Sequence, residues 1–267
     1  MKKFIDLGLS PKVMKAINDV GYDTPTPIQS EAIPHALEGR DVLGIAQTGT
    51  GKTAGFTLPM IHKLARGRAR ARMPRSLVLA PTRELAAQVA ENFEQYAKYV
   101  KLDMALLIGG VSFKDQDRLI DRGVDVLIAT PGRLLDLQAQ GHLSLNKVEI
   151  FVLDEADRML DMGFLRDIQK VMKLIPAKRQ NLMFSATFSK DIKKLAHGIL
   201  NNPIQVDATP ENSTVDAISQ KVYRVAREKK TGLAIKLISE GNWKQVLVFT
   251  GTKHGANRIC ESFEKAG

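Results

Sequence analysis

The stretch AQTGTGKT, residues 46–53, has the residue types of a loop that holds phosphate, and it fits G-x-x-x-x-G-K-[ST] apart from alanine at the first glycine position. Gly49 and Gly51 allow the backbone to turn so that successive N–H groups point inward, and a helix that begins here adds its positive end. Lys52 has the length to reach phosphate oxygens, and the Thr53 hydroxyl suits Mg²⁺. The alternative is a strand-to-helix turn that binds nothing, but the complete Gly-Lys-Thr core favours a phosphate site.

A second group of chemical residues is the acidic sequence LDEAD, residues 153–157, which follows the apolar run EIFV. An aspartate at a strand end beside a phosphate loop can hold Mg²⁺, and an adjacent glutamate can position or deprotonate an attacking water. Asp154 fits the first role and Glu155 the second. The other interpretation is an acidic helix start, which the helix dipole stabilises. The phosphate loop in the same chain favours the metal-and-water interpretation.

Gln29 is a third candidate, at the end of GYDTPTPIQ, residues 21–29. Thr26, Pro27 and Gln29 have the pattern of a capping box with proline at the first helical position. A Gln amide also matches the N6 donor and N7 acceptor of adenine, which would favour ATP over GTP. The local sequence leaves both interpretations open.

The elements that must position these residues alternate along the chain. Apolar runs that predict strands begin at residues 41, 76, 104, 125, 149, 181 and 203, and helix-like segments occupy 84–100, 131–140, 164–175 and 190–200. Strands that are apolar throughout, separated by helices, predict an α/β fold with a doubly wound parallel sheet covered on both faces. Ligands of such sheets bind at the carboxyl ends of the strands, where the phosphate loop and LDEAD both fall.

A polar stretch after Val206 predicts a boundary, with a domain at 1–207, a linker at 208–217 and a second unit at 218–267. The second unit has the pattern strand, helix, strand, helix, at residues 220–226, 229–241, 245–250 and 253–267. Two strands are too few for an independent parallel sheet. We therefore expect an incomplete second α/β segment.

The charge balance suggests an anionic partner. The 267 residues carry a net charge of +10, and the pI is about 9.6, which is typical of nucleic-acid binding without proving it. Five arginines lie in RGRARARMPR, residues 66–75. Such a run is as often a solvated loop as a binding patch.

Cys260 is the only cysteine, which excludes an intrachain disulfide and a thiolate metal site and fits a reducing compartment. At the N-terminus, Asp6 interrupts the sequence before any apolar segment develops, and no apolar run approaches the roughly 18 residues of a spanning helix. We therefore expect a cytoplasmic protein without a membrane partner.

Taken in order, GYDTPTPIQ, AQTGTGKT, PTREL, the Gly109–Gly110 pair, TPGR, DEAD and SAT resemble the first half of a DEAD-box ATP-dependent RNA helicase. The resemblance covers residues 4 to about 207, and the opening segment is most similar to the bacterial RhlE-like subgroup. The family implies two RecA-like P-loop domains that close around ATP and one RNA strand. For this chain it implies a RecA-like domain with an N-terminal Q-motif region, followed by the start of a second RecA-like domain.

The resemblance also implies roles for single residues. ATP hydrolysis with Mg²⁺ is assigned to Lys52, Asp154 and Glu155, and the metal to Thr53 and Asp154. Adenine recognition falls on Gln29, with Tyr22, Thr24 and Phe4 near the base, although Phe4 is equally suited to the core. Phosphate contacts fall on Thr48, Gly49, Thr50, Gly51, Lys52 and Thr53.

RNA contacts in the resemblance fall on Pro81, Thr82, Arg83, Glu84, Gly109, Gly110, Thr130, Pro131, Gly132 and Arg133. The residue types are compatible with RNA contacts. Thr82 and Thr130 precede helices whose N–H groups can bind backbone phosphates, and Arg83 and Arg133 add positive charge. Contacts of this type are largely independent of sequence and sensitive to salt. Salt bridges to nearby carboxylates are the alternative for both arginines.

Ser185, Ala186 and Thr187 match the motif that couples hydrolysis to unwinding, although a strand-end turn capped by hydroxyls has the same residue types. VLVFTGTKHG, residues 246–255, resembles the fourth motif of the family. The later motif that supplies arginine fingers has no counterpart before Gly267, and such fingers are worth about 10³ to 10⁵ in rate. We therefore expect the isolated chain to bind ATP weakly and hydrolyse it slowly. The alternatives are an RNA- or nucleotide-binding module without turnover and a DNA translocase.

Overall fold

The computed structural model describes residues 2–208, 219 and 221–266, except for the side chain of Phe113. The chain forms two compact units, Met1–Glu211 and Asn212–Gly267. Apart from Ala208, the predicted linker at 208–217 lies outside the described residues.

The first unit contains the predicted parallel sheet. Its strands are β1 (Val42–Ile45), β2 (Ser76–Leu79), β3 (Met104–Leu107), β4 (Val126–Ala129), β5 (Ile150–Leu153), β6 (Gln180–Ser185) and β7 (Ile204–Asp207). All pairs are parallel, in the order β3-β4-β2-β5-β6-β1-β7. The fold class and all seven strands predicted from the apolar runs are confirmed.

Helices cover both faces of this sheet. They are α1 (Pro11–Val20), α2 (Pro27–Leu37), α3 (Lys52–Leu64), α4 (Arg83–Ala97), α5 (Phe113–Arg122), α6 (Pro131–Ala139), α7 (Ala156–Asp161), α8 (Leu165–Leu174) and α9 (Lys190–Ile199), with a 3-10 helix at Phe4–Leu7. The predicted helices correspond to α4, α6, α8 and α9. The helices α1, α5 and α7 were not predicted; α7 is short and α5 is mostly polar.

In β1 to β6, alternate residues enter two separate cores, as the two-residue period of a strand requires. The edge strand β7 contributes Val206 to the first core and exposes Gln205 and Asp207. On β5, Val152 packs with α1 to α4 in the first core, whereas Phe151 and Leu153 pack with α6 to α9 in the second. Burial of both faces explains why the strands are apolar without alternation. The rigid sheet fixes the loops at its carboxyl edge.

The second unit contains a 3-10 helix at Arg227–Lys229, α10 (Lys230–Gly241) and α11 (Lys253–Glu264). Both predicted helices are present, but the predicted strands are wrong, because 221–226 and 245–250 form no strand in the described part of the chain. Leu247 and Phe249 are 80% and 88% exposed. A strand needs a neighbour to pair its backbone N–H and C=O groups, so a β-rich sequence alone does not produce one. Across both units, no described helix has the length and hydropathy needed to span a bilayer.

Candidate functional site

The phosphate loop and the acidic motif meet at the carboxyl edge of the sheet. The loop joins β1 to α3, the acidic motif follows β5, and β6 lies between these two strands. Both motifs line one cavity of about 320 Å³. From the two motifs, the lining residues are Thr48, Gly49, Gly51, Lys52, Thr53, Asp154 and Glu155.

Glycine is required at two positions of the phosphate loop. Gly49 and Gly51 have φ values of +86° and +88°, a conformation that other residues rarely adopt. A Cβ atom on Gly51 would lie only 2.2 Å from Nε2 of Gln29. Gly51 also precedes α3 directly, so the loop presents its backbone at a helix N-terminus, where anions bind favourably.

Lys52 places a buried ammonium group in this cavity. Its side chain is 5% exposed, and Nζ lies 3.1 Å from Oε1 of Glu155. The pair is an ionic contact without hydrogen-bond geometry, since Nζ has no hydrogen-bond partner among the described residues. Because an ammonium group has three N–H donors and burial without partners is costly, the site fits an anionic group such as a polyphosphate.

The two carboxylates occupy strained and desolvated positions. Glu155 has a φ of +52°, which is uncommon for a residue with a side chain, and its backbone N–H donates to Oδ1 of Asp154 at 3.0 Å. Burial, reinforced by the charge of Glu155, raises the pKa of Asp154 to about 7, although Lys52 opposes this shift. A divalent cation would favour the ionised form, so Asp154 and Thr53, which line the same cavity, suit Mg²⁺.

Gln29 joins the Q-motif region to the phosphate loop. Its Oε1 accepts a hydrogen bond from the backbone N–H of Thr26 at 3.0 Å, and its Nε2 donates to the carbonyl of Gly51 at 3.1 Å. The first bond belongs to the predicted capping box. The amide still retains one N–H and one lone pair beyond these two bonds, and Gln29 lines the cavity. The adenine interpretation therefore stays a prediction alongside the capping role.

The aromatic residues differ in their relation to the cavity. Tyr22 lines it and is 43% exposed. Phe4 stacks on Tyr22 with ring centroids 6.4 Å apart, but it is buried in the core and does not line the cavity. This placement favours the core alternative for Phe4. Thr24 and Thr50 also lie outside the cavity lining, and the Thr50 hydroxyl donates to the carbonyl of Gln47 at 2.7 Å.

One wall of the cavity is formed by residues of α4 that the sequence motifs do not include. Five residues of α4 line it, namely Leu85, Gln88, Val89, Asn92 and Tyr96. Their spacing of three and four residues marks one face of a helix. That stripe is visible in the sequence, but periodicity alone does not tell whether such a face meets the core or a ligand.

The predicted RNA contacts follow three neighbouring strands. The Pro81–Glu84 segment follows β2, the Gly109–Gly110 pair follows β3, and the Thr130–Arg133 segment follows β4. Since β3, β4 and β2 are adjacent in the sheet, their carboxyl ends bring the three segments to one edge. We call these three segments the edge face.

Hydrogen bonds connect the segments of the edge face. Thr82 Oγ1 accepts from the backbone N–H of Leu85 at 3.3 Å and caps α4. The exposed guanidinium of Arg83 donates to the carbonyl of Gly109 at 3.2 Å. Arg133 donates to the carbonyl of Val111 at 3.4 Å and to Oε1 of Gln116 at 3.3 Å. The acceptors in these bonds are neutral groups, and the bonds orient both guanidinium groups.

Part of the arginine-rich segment 66–75 is structural. Arg72 pairs with Asp121 at 2.6 Å and Asp117 at 3.4 Å. The guanidinium of Arg75 is buried and lies 3.3 Å from Asp125. The other three arginines, Arg66, Arg68 and Arg70, are exposed. The two interpretations of this segment, a solvated loop and a binding patch, therefore apply only to these three arginines.

The SAT segment begins at the last residue of β6. The carbonyl of Ser185 accepts from the N–H of Ala46, at the start of the phosphate loop, at 3.0 Å. Its Oγ accepts from the N–H of Thr187 at 3.4 Å, while Ala186 stands between the two. The motif is thus attached to the phosphate loop, and it also has the strand-end hydroxyl turn of the alternative interpretation.

Comparisons with known proteins agree with these motifs. The sequence model of the family described as DEAD/DEAH box helicase matches residues 26–195. Proteins named ATP-dependent RNA helicase RhlB are 42% identical in Pseudomonas aeruginosa (strain UCBPP-PA14) and 41% identical in Pseudomonas putida, over 99% of this chain and 68% of each relative. A protein of Escherichia coli (strain K12) named ATP-dependent RNA helicase DeaD is 40% identical over 99% of this chain and 42% of its own length.

Proposed function

This chain belongs to the DEAD/DEAH box helicase family, and from that premise we propose that it acts as an ATP-dependent RNA helicase, coupling ATP hydrolysis to local separation of RNA duplexes. The names of the relatives support this proposal. The observation that carries it is the buried ammonium of Lys52 beside Asp154 and Glu155 in one cavity. The RhlE-like subgroup stays a prediction, as does a cytoplasmic location.

When bound, ATP supplies the phosphoanhydride bond that is broken, and Mg²⁺ offsets the negative charge of its phosphates. The N–H groups around Gly49 and Gly51 and the ammonium of Lys52 bind phosphate oxygens. Thr53 and Asp154 hold the metal. The Gln29 amide binds the adenine edge, with Tyr22 beside it.

Glu155 has two successive roles in this proposal. Without nucleotide it is the ionic partner of Lys52, at 3.1 Å, and it accepts from the Thr48 hydroxyl at 3.4 Å. Phosphate would take over the ammonium of Lys52, which releases the carboxylate. Glu155 then orients the attacking water and accepts its proton.

The edge face binds the RNA backbone. The helix N-termini after Thr82 and Thr130 offer N–H groups to phosphates, and Arg83 and Arg133 add charge. The turn at Gly109–Gly110 lets the protein backbone approach the RNA strand closely. Ser185, Ala186 and Thr187 transmit the nucleotide state, because their strand is hydrogen-bonded to the phosphate loop.

ATP hydrolysis with and without single-stranded RNA tests this function. We expect a slow rate that RNA increases, and Glu155→Gln should abolish the increase while retaining ATP binding. Asp161→Asn, at an exposed carboxylate, is the control. A rate that is independent of RNA and unchanged by Glu155→Gln would favour a binding module without turnover. Stimulation by DNA but not by RNA would favour a translocase.

A further inference from the structure

The helix α4 contributes three polar side chains to the cavity, and none of the three belongs to the family motifs described above. Gln88, Asn92 and Tyr96 line the cavity that also contains Gln29 and Tyr22. The three residues are spaced by four positions, so they lie on one face of α4. These three residues lie on the same helix as the end of the PTREL segment but follow it in the sequence.

Hydrogen bonds hold the amide of Asn92 in one orientation. Its Nδ2 donates to the carbonyl of Gln88 at 2.7 Å, and its Oδ1 accepts from the hydroxyl of Tyr96 at 3.3 Å. An amide side chain has two N–H donors and two lone pairs. These two bonds use one of each, which leaves one donor and one acceptor on a side chain that lines the cavity.

Tyr96 provides a rigid support for this amide. It is 2% exposed and belongs to the first core. Burial, together with the neighbouring phenol of Tyr22, raises the pKa of Tyr96 well above its usual value. A phenol is protonated at neutral pH even at its ordinary pKa, and the hydroxyl of Tyr96 donates to Asn92. Tyr22 in turn stacks on buried Phe4.

We propose that Asn92 hydrogen-bonds the nucleoside part of the bound nucleotide and that Tyr96 is its positioning residue. The proposal rests on the function proposed above, which supplies the nucleotide. The donor and acceptor left on Asn92 suit either the edge of adenine or a ribose hydroxyl, since both offer hydrogen-bonding groups. Lys52 and the glycine loop would hold the phosphates, so the two parts of the cavity bind different parts of one ligand.

Calorimetric titration with ATP and with inorganic tripolyphosphate separates these two parts. Asn92→Leu keeps a similar volume and removes the hydrogen bonds, so we expect ATP to bind about 10-fold more weakly. Tyr96→Phe should weaken the binding of ATP about threefold, because the Asn92 amide loses one of the two hydrogen bonds that orient it. Neither variant should change the affinity for tripolyphosphate. An unchanged tripolyphosphate affinity would show that the phosphate part of the cavity is still folded.

Tyr99→Phe is the matched control, because its hydroxyl donates to Asp19 at 2.6 Å and the residue lies outside the cavity lining. Titration with 2′-deoxy-ATP then identifies the group bound. An equal loss for ATP and 2′-deoxy-ATP assigns Asn92 to the base edge or the 3′-hydroxyl, whereas a loss confined to ATP assigns it to the 2′-hydroxyl.

Two results would overturn the inference. If ATP affinity is unchanged in both variants, or if ATP and tripolyphosphate weaken equally, Asn92 does not contact the nucleoside. These results leave the proposed function intact as long as the unmodified chain binds ATP. If the unmodified chain binds neither ATP nor tripolyphosphate, the proposed function itself fails and the inference fails with it.

Discussion

At the scale of single residues, the cavity combines groups that are costly to bury without a ligand. Lys52 is a buried cation with one ionic partner in the described part of the chain, Glu155 has a positive φ, and Asp154 is a desolvated carboxyl group. Such features are typical of functional sites, where stability is lost so that charged groups are ready for a ligand. The same features make the stability of the ligand-free protein sensitive to pH.

Asp154→Asn should stabilise the ligand-free first unit at alkaline pH. The pKa of Asp154 is about 7 in the folded protein against an ordinary value of 3.8. The folded state therefore holds a proton that the unfolded state releases, and stability falls as the pH rises through this window. Asparagine does not titrate. The free energy of unfolding of the variant should therefore exceed that of the unmodified chain by on the order of 1–4 kcal/mol at pH 8, and the two should be equal near pH 4.

Guanidinium unfolding followed by circular dichroism, with EDTA present, measures this difference. The exposed carboxylate variant Asp161→Asn should show the same pH dependence as the unmodified chain. A loss of stability in Asp154→Asn at pH 8 would contradict this prediction, because it would mean that the ionised carboxylate is stabilised in the folded protein.

Some residue roles were accessible from the sequence and others were not. The phosphate loop and DEAD are local patterns, so their residue types and spacing were enough to predict that they share a site. Asn92 and Tyr96 were not found, because helical periodicity is the same for a face that meets a ligand and for one that meets the core. The burial of Phe4 and Arg75 depends on tertiary packing, which local sequence does not specify.

At the scale of elements, α4 links the two parts of the proposed function. Its N-cap, Thr82, belongs to the edge face, and residues from Leu85 to Tyr96 form one wall of the proposed nucleotide cavity. A change at its N-terminus should therefore affect RNA binding as well as stability.

Thr82→Ala should destabilise the first unit by about 0.5–2 kcal/mol, because an N-cap hydrogen bond to α4 is lost. Ser189→Ala is the matched control, since Ser189 caps α9 through an equivalent bond to the N–H of Ile192 at 3.3 Å. Both variants should lose similar stability in thermal unfolding. Only Thr82→Ala should weaken binding of single-stranded RNA in fluorescence anisotropy. Equal RNA affinity in the two variants would remove Thr82 from the RNA site.

The strands show where prediction from sequence reaches its limit. The strands β1 to β6 were predicted because burial on both faces selects continuous apolar runs, whereas the edge strand β7 is buried on one face only. The runs at 220–226 and 245–250 have similar composition but form no strand over their described residues. The physical difference is pairing, because a strand is completed by neighbours that its own residues do not determine.

At the scale of the whole molecule, the charge of +10 agrees with a polyanionic partner. If phosphates dominate the contacts, the logarithm of the RNA affinity should fall linearly with the logarithm of the salt concentration, with a slope of about −0.7 per phosphate contacted. Arg83→Ala and Arg133→Ala should each reduce that slope by about one contact. Anisotropy titrations at several KCl concentrations measure the slope. Replacing Lys12, an exposed lysine of α1, should leave the slope unchanged.

The central claim is that the cavity beside Lys52 binds ATP with Mg²⁺, and the most direct test is the affinity for ATP measured by calorimetry with Mg²⁺ and with EDTA. We expect binding that Mg²⁺ strengthens and that Lys52→Ala abolishes, while Lys12→Ala binds normally. Lys52→Ala should keep its fold, because the change removes a buried charge whose ionic partner, Glu155, still accepts a hydrogen bond from Thr48. Normal ATP affinity in folded Lys52→Ala would contradict the account.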